Sequence, residues 1–134
     1  MTTSDELRPG LTGEITIPVS EDLTAAAYRN EGVDVLATPV VVWLVEAASV
    51  RALETALRSG EATVGTHIDL RHVAATPVGM TVTARSRVET VDERRIVFHA
   101  EVWDEVEKIA TATHERFVVG LDRFLARAGA KKVR

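Results

Sequence analysis

The chain reads as an α+β fold in which an antiparallel sheet wraps around one long central helix. Three observations point there. The stretch Thr38 to Gly60, TPVVVWLVEAASVRALETALRSG, is apolar almost all the way round, and a helix of that kind must be covered on most sides. The chain after residue 62 falls into segments that alternate between apolar and polar residues, as strands do. A sheet of that size must bury one face, and the helix is the apolar partner available to it.

Residues 13–19 (GEITIPV) alternate weakly and contain Pro18 near their end, which suits an edge strand. Residues 20–37 are polar and Ala-rich, with Gly32 late in the segment, and read as a loop with room for a short helical turn. Thr38 then stands where an N-cap belongs, with Pro39 in the favoured first helical position. The helix is expected to stop at Ser59-Gly60, after Arg58. Arg51, Glu54 and Arg58 give its second half a polar stripe.

In 63–73, Val64, Thr66, Ile68, Leu70 and His72 share one face, assigned to the helix, and Gly65, His67, Asp69 and Arg71 share the other. Thr76-Pro77-Val78-Gly79 is a turn. In 80–90, Met80, Val82, Ala84 and Val88 face one way and Thr81, Thr83, Arg85, Arg87 and Glu89 the other, the pattern of a half-solvated antiparallel strand. Asp92-Glu93-Arg94 turns the chain into 95–104, whose inner face is Ile96, Phe98, Ala100 and Val102. Residues 105–107 turn it again into 108–120. A strand, a long apolar helix and four antiparallel strands curled around it make the hot-dog fold, whose sheet edges favour dimers.

With 134 residues, 46% hydrophobic and 27% charged, the expectation is a single domain over 1–134, with its core in 10–120. The net charge of −4 argues against a nucleic-acid binder. Basic residues gather at the end (Arg123, Arg127, Lys131, Lys132, Arg134), where 121–134 reads as a solvated tail or as a patch for a phosphorylated ligand. With no cysteine, disulfides, thiolate metal sites and a Cys nucleophile drop out. No apolar run reaches the roughly 18 residues of a membrane span, and the N-terminus lacks the pattern of a signal peptide. A cytoplasmic protein is expected.

Three residues could carry chemistry. Glu46 is a lone carboxylate in the middle of an apolar helix, costly there unless paired, protonated or useful. It is either a core-edge carboxylate paired with Arg or facing solvent, or a general base in a dry pocket, its pKa raised by burial. His72 ends the apolar row that faces the helix. It reads as a core-rim residue or as the acid/base partner of that carboxylate. Thr38 is explained as a cap, yet a helix N-terminus is also a natural place to bind a carbonyl oxygen. Glu46 lies eight residues beyond Thr38, about two turns, and so roughly on the same face. The four histidines (67, 72, 99, 114) lack the spacing of a metal site, and no glycine-rich phosphate loop, nucleophile elbow or HExxH motif is present.

Over about residues 10–120 the chain resembles the fluoroacetyl-CoA thioesterase family of hot-dog enzymes. The pieces that carry the likeness are Ala37-Thr38 with Glu46, Gly65-Thr66 with His72, Pro77 to Thr83, and Thr113-His114-Glu115-Arg116. The resemblance implies a catalytic set falling on Thr38, Glu46 and His72, and acyl-CoA contacts at Gly65 and Arg116. It also implies hydrolysis of an acyl-CoA thioester by a homodimer without metal or cofactor. The family's fluoroacetyl enzyme carries phenylalanines in the segment before the helix. This chain has no Phe before residue 98, a departure that implies a pocket gated differently, so the family's fluoroacetyl specificity is not carried over to it.

The expected function is therefore an acyl-CoA thioesterase acting on a small or medium acyl group, a size suggested by Val40 to Trp43 as pocket lining. Two rivals stand beside it. One is a hot-dog hydratase or dehydratase, which would change the absorbance of an enoyl thioester without releasing thiol. The other is a non-catalytic acyl-CoA-binding module, in which Glu46→Gln changes nothing.

Overall fold

The computed structural model describes residues 6–133. Its strands are β1 (Thr12–Pro18), β2 (Glu61–His72), β3 (Thr81–Asp92), β4 (Arg95–Trp103) and β5 (Lys108–Gly120). Two short 3₁₀ turns, Glu21–Leu23 and Ala26–Tyr28, precede the helix α1 (Thr38–Ala52), and a second helix, α2 (Leu121–Gly129), follows β5. All strand pairs are antiparallel, in the order β1-β3-β4-β5-β2.

Packing follows from the alternation. α1 turns Val40, Val41, Leu44, Val45 and Ala48 into the sheet, where they meet Val82, Ala84, Ala100, Val102, Ala110 and Ala112 in one cluster. Val41, Leu44 and Val45 are fully enclosed, and burying each stabilises the fold by roughly 2 kcal/mol. Ser49 is buried too, bonding the Val45 carbonyl at 2.8 Å and Ser86 Oγ at 2.7 Å, so its hydroxyl is satisfied. The inward rows expected on β3 and β4 are found there: Val82, Ala84, Val88, Ile96, Phe98, Ala100 and Val102 are all buried. Gly13 lets β1 approach the helix. A Cβ there would stand 2.2 Å from the Ala48 carbonyl oxygen and 2.4 Å from the Ala52 nitrogen.

Four expectations need correction. The helix ends at Ala52, not Gly60. Beyond it the N–H groups of Leu53, Glu54 and Ala56 bond carbonyls three residues back. Those tight turns carry Leu53 and Ala56 into a second apolar cluster with Val88, Ile96, Phe98 and Val118, so tertiary burial overrides local helix propensity. The four later strands are not a simple meander either. Residues 73–80 cross the sheet, so that β2 becomes the edge beyond β5 while β3 pairs with β1. The pairing of β2 slips between Gly65 and His67, where Thr66 is an extra residue. This bulge reverses the assigned faces before it: Thr63 and Gly65 turn inward with Ile68, Leu70 and His72. Finally, the expected C-terminal tail is helical from Leu121 to Gly129, with its side chains exposed.

Candidate active site

The first turn of α1 brings Thr38 to His72, at the end of β2. Thr38 is not the cap: that position is Ala37, and the Thr38 hydroxyl instead lies 2.8 Å from His72 Nδ1. Pro39 has no N–H, and the Val40 and Val41 N–H groups both bond the Ala37 carbonyl. Among the described residues the Thr38 N–H has no backbone acceptor, which leaves it as a free donor at this helix end. Burial lowers the His72 pKa from 6.5, and the Ala74 backbone opposes that in part, so the ring is neutral at pH 7. Its Nε2 is buried with no hydrogen-bond partner among the described residues. Thr38 and His72 line a cleft of about 310 Å³ together with Asn30, Val35 and Ala74.

Glu46 stands at a second centre. Its Oε2 accepts a bond from Arg116 Nη1 at 3.2 Å. The expected dry pocket is not found around it: the Glu46 side chain is 42% exposed, whereas that of Arg116 is 7% exposed. Arg116 is clamped. Its Nε donates to Thr63 Oγ1 at 2.9 Å and its Nη2 to the Thr63 carbonyl at 3.0 Å. Burial pulls the Arg116 pKa below its usual value, and Glu46 opposes the shift; an arginine stays charged regardless. Gly65 lies against this centre, for a Cβ on it would stand 2.6 Å from Glu46 Oε2.

His114 completes the clamp, and its tautomer follows from its neighbours. Nδ1 faces the His67 carbonyl at 2.7 Å, which can only accept, so Nδ1 carries the proton. Burial, first, and the Arg116 charge lower the His114 pKa, against the His67 carbonyl and Glu46. The ring is therefore neutral, and its bare Nε2 accepts from Arg116 Nη1 at 3.3 Å.

The two centres are separate within one chain. Eight residues of helix put Thr38 and Glu46 about 12 Å apart along the axis. Of the five residues singled out in the sequence, the structure groups Thr38 with His72 and Glu46 with Gly65 and Arg116. The sequence reading gave no role to His114 or Thr63. A signal existed for the first: by alternation His114 shares the inward face of β5 with Arg116, and two polar residues in an otherwise apolar row imply a satisfied pair. Thr63 was hidden by the bulge, which turns it inward against the simple period. Of Val40 to Trp43, Val40 and Trp43 line a cleft of about 320 Å³ with Leu23, Tyr28 and Pro39, whereas Val41 belongs to the core. Tyr28 and Trp43 thus supply aromatic surface ahead of and along the helix. Among the described residues no three His, Asp or Glu side chains gather as metal ligands, and no helix is long and apolar enough to cross a membrane.

Comparison with known proteins sets this geometry in context. A family model of fluoroacetyl-CoA-specific thioesterases matches residues 19–122. A fluoroacetyl-CoA thioesterase of Streptantibioticus cattleyicolor is 41% identical over 98 residues, 73% of this chain and 70% of that protein. A solved structure of a fluoroacetyl-CoA thioesterase superposes with a TM-score of 0.88 at 34% identity, covering 95% of this chain and 98% of that one. A Thermus thermophilus protein of the thioesterase superfamily shares the fold, with a TM-score of 0.88 at 22% identity, over 95% of this chain and 94% of its own.

Proposed function

The chain belongs to the fluoroacetyl-CoA-specific thioesterase family, and on that premise we propose that it hydrolyses a small or medium acyl-CoA thioester to the free acid and CoA. The observation that carries the reading is the Thr38–His72 hydrogen bond of 2.8 Å at a helix N-terminus that opens on a cleft of about 310 Å³. A neutral imidazole held by a hydroxyl can take a proton from an attacking nucleophile. The Thr38 N–H and the positive end of the helix dipole suit the carbonyl oxygen as it gains charge. Glu46, with Arg116 fixing one of its oxygens, has the other free to orient water or to attack the carbonyl itself.

A set split by about 12 Å needs a second copy. β2 has an open edge, and α1 exposes Trp43 and Val50 on the side of Glu46. Antiparallel pairing of two β2 edges centred on Asp69, with Ile68 opposite the partner's Leu70 and Thr66 again the extra residue, sets Gly65 of one strand opposite the partner's His72. Residues so paired point to the same face, which brings Glu46 beside the partner's Thr38 and His72. The homodimer is thus part of the proposed mechanism.

The test is thiol release from a panel of acyl-CoAs, with a chromogenic thiol reagent; the cysteine-free chain adds no background. Turnover of short or medium esters that Glu46→Gln and His72→Ala each abolish, with folding intact, is the expected result. Saturable binding of esters without thiol release would overturn it in favour of a hydratase or a binding module.

A further inference from the structure

We propose that the cleft between α2 and the β3–β4 turn, where Arg94, Arg123 and Arg127 meet Phe124, binds the phosphorylated nucleotide of the CoA thioester. The proposal rests on the acyl-CoA reading above and names the part of the substrate that reading leaves unplaced. The cleft holds about 570 Å³ and has Val119 and Gly120 as its floor. It gathers three guanidinium groups, whereas the clefts at Thr38 and at Trp43 have none. The gathering is not a by-product of overall charge, because the chain is net acidic at −4.

Arg123 and Arg127 stand one turn apart on α2, a like-charge spacing that costs helix stability unless an anion lies between them. Among the described residues neither they nor Arg94 have a carboxylate partner. Arg94 is held in place by one bond, Nη1 to the Val118 carbonyl at 3.0 Å, so the rest of its planar fork stays free for phosphate oxygens. Phe124, 38% exposed beside them, offers a ring on which a purine can stack. Position agrees with chemistry. Gly120 lies four residues beyond Arg116 on β5, about 13 Å of strand. In CoA the thioester and the phosphates are likewise set apart, by the pantetheine arm.

The experiment compares wild type with the Arg123→Gln/Arg127→Gln double variant, whose changes fall on exposed helix positions. Each is given the best acyl-CoA of the panel and the matching acyl-pantetheine, which lacks the nucleotide. The ratio of kcat/KM for the CoA ester to that for the pantetheine ester should fall about tenfold or more in the variant, through KM. Calorimetric titration with adenosine 3′,5′-bisphosphate should show binding to wild type that the variant loses. An unchanged ratio with turnover intact would overturn the subsite and leave the thioesterase standing. If wild type cleaves no thioester, the functional reading fails, and the titration alone decides the cleft. Binding lost in the variant upholds a nucleotide site there. No saturable binding, or equal binding of inorganic phosphate, sinks it.

Discussion

Gly65 matters for what it lacks. A methyl group there would press on the tip of Glu46 and on the ends of Arg116 and His114, at 2.6 Å, 3.3 Å and 3.3 Å. These are side-chain ends, so Gly65→Ala should fold normally yet displace the carboxylate. We expect kcat to fall on the order of a hundredfold with an unchanged melting temperature, read by steady-state kinetics beside a thermal melt. His114 acts one step further back, by holding Arg116. His114→Leu should lower kcat about tenfold with KM unchanged, and His114→Gln, which keeps an acceptor and a donor, should recover most of the loss. An equal loss in both variants would show a packing role only. His72 and His114 also set a pH response. Their folded pKa values lie below 6.5, so between 6.5 and those values the unfolded chain binds protons that the folded chain refuses. Stability is therefore complete above 6.5 and declines as pH falls through that window, which melts at stepped pH will record. Glu46 and His72 stand out in the sequence because each interrupts an apolar pattern. Thr38 was explained equally well as a cap, but the cap is Ala37 and the Thr38 hydroxyl lies 2.8 Å from His72 Nδ1. His114 went unread because a single inward histidine is ordinary until its neighbour is known to be a buried arginine.

Among the elements, β3, β4 and β5 could be read almost directly, since one face of each is solvated and the alternation is clean. The end of α1 could not. Residues 53–57 carry the composition of a helix, and it is the second apolar cluster, built from strands distant in sequence, that winds them tighter. Nor could the crossover, for the turn residues Thr76 to Gly79 fit a hairpin as well as a strap across the sheet. The contact of β1 with α1 gives a prediction at this scale. In Gly13→Ala the new methyl meets helix backbone at 2.2 Å, which cannot rotate away as a side chain can. The sheet or the helix must shift, and Tm should drop by roughly 5–10 °C, measured by calorimetry. A drop under one degree would mean that β1 is held more loosely than the packing suggests.

For the whole molecule, the proposed pairing across the roughly 12 Å between Thr38 and Glu46 would make activity a property of pairs. Glu46→Gln and His72→Ala chains, each inactive alone, should regain about a quarter of wild-type activity when unfolded and refolded together in equal amounts, because half the dimers then hold one intact site of two. No recovery would place both halves of the set within one chain. The bulge at Thr66 has a consequence for such an assembly. Gly65 and His72 are seven residues apart, an odd count, and in a regular strand they would point to opposite sides. The extra residue absorbs one step and makes the count even in effect. What this strand conserves is thus parity rather than length. Deleting Thr66 leaves six regular steps and keeps both residues inward, whereas inserting one residue anywhere between 67 and 71 turns His72 away from Thr38. The tolerance of this edge to indels should alternate, even changes surviving where odd ones do not, with the bulge itself as the one place where an odd change is forgiven.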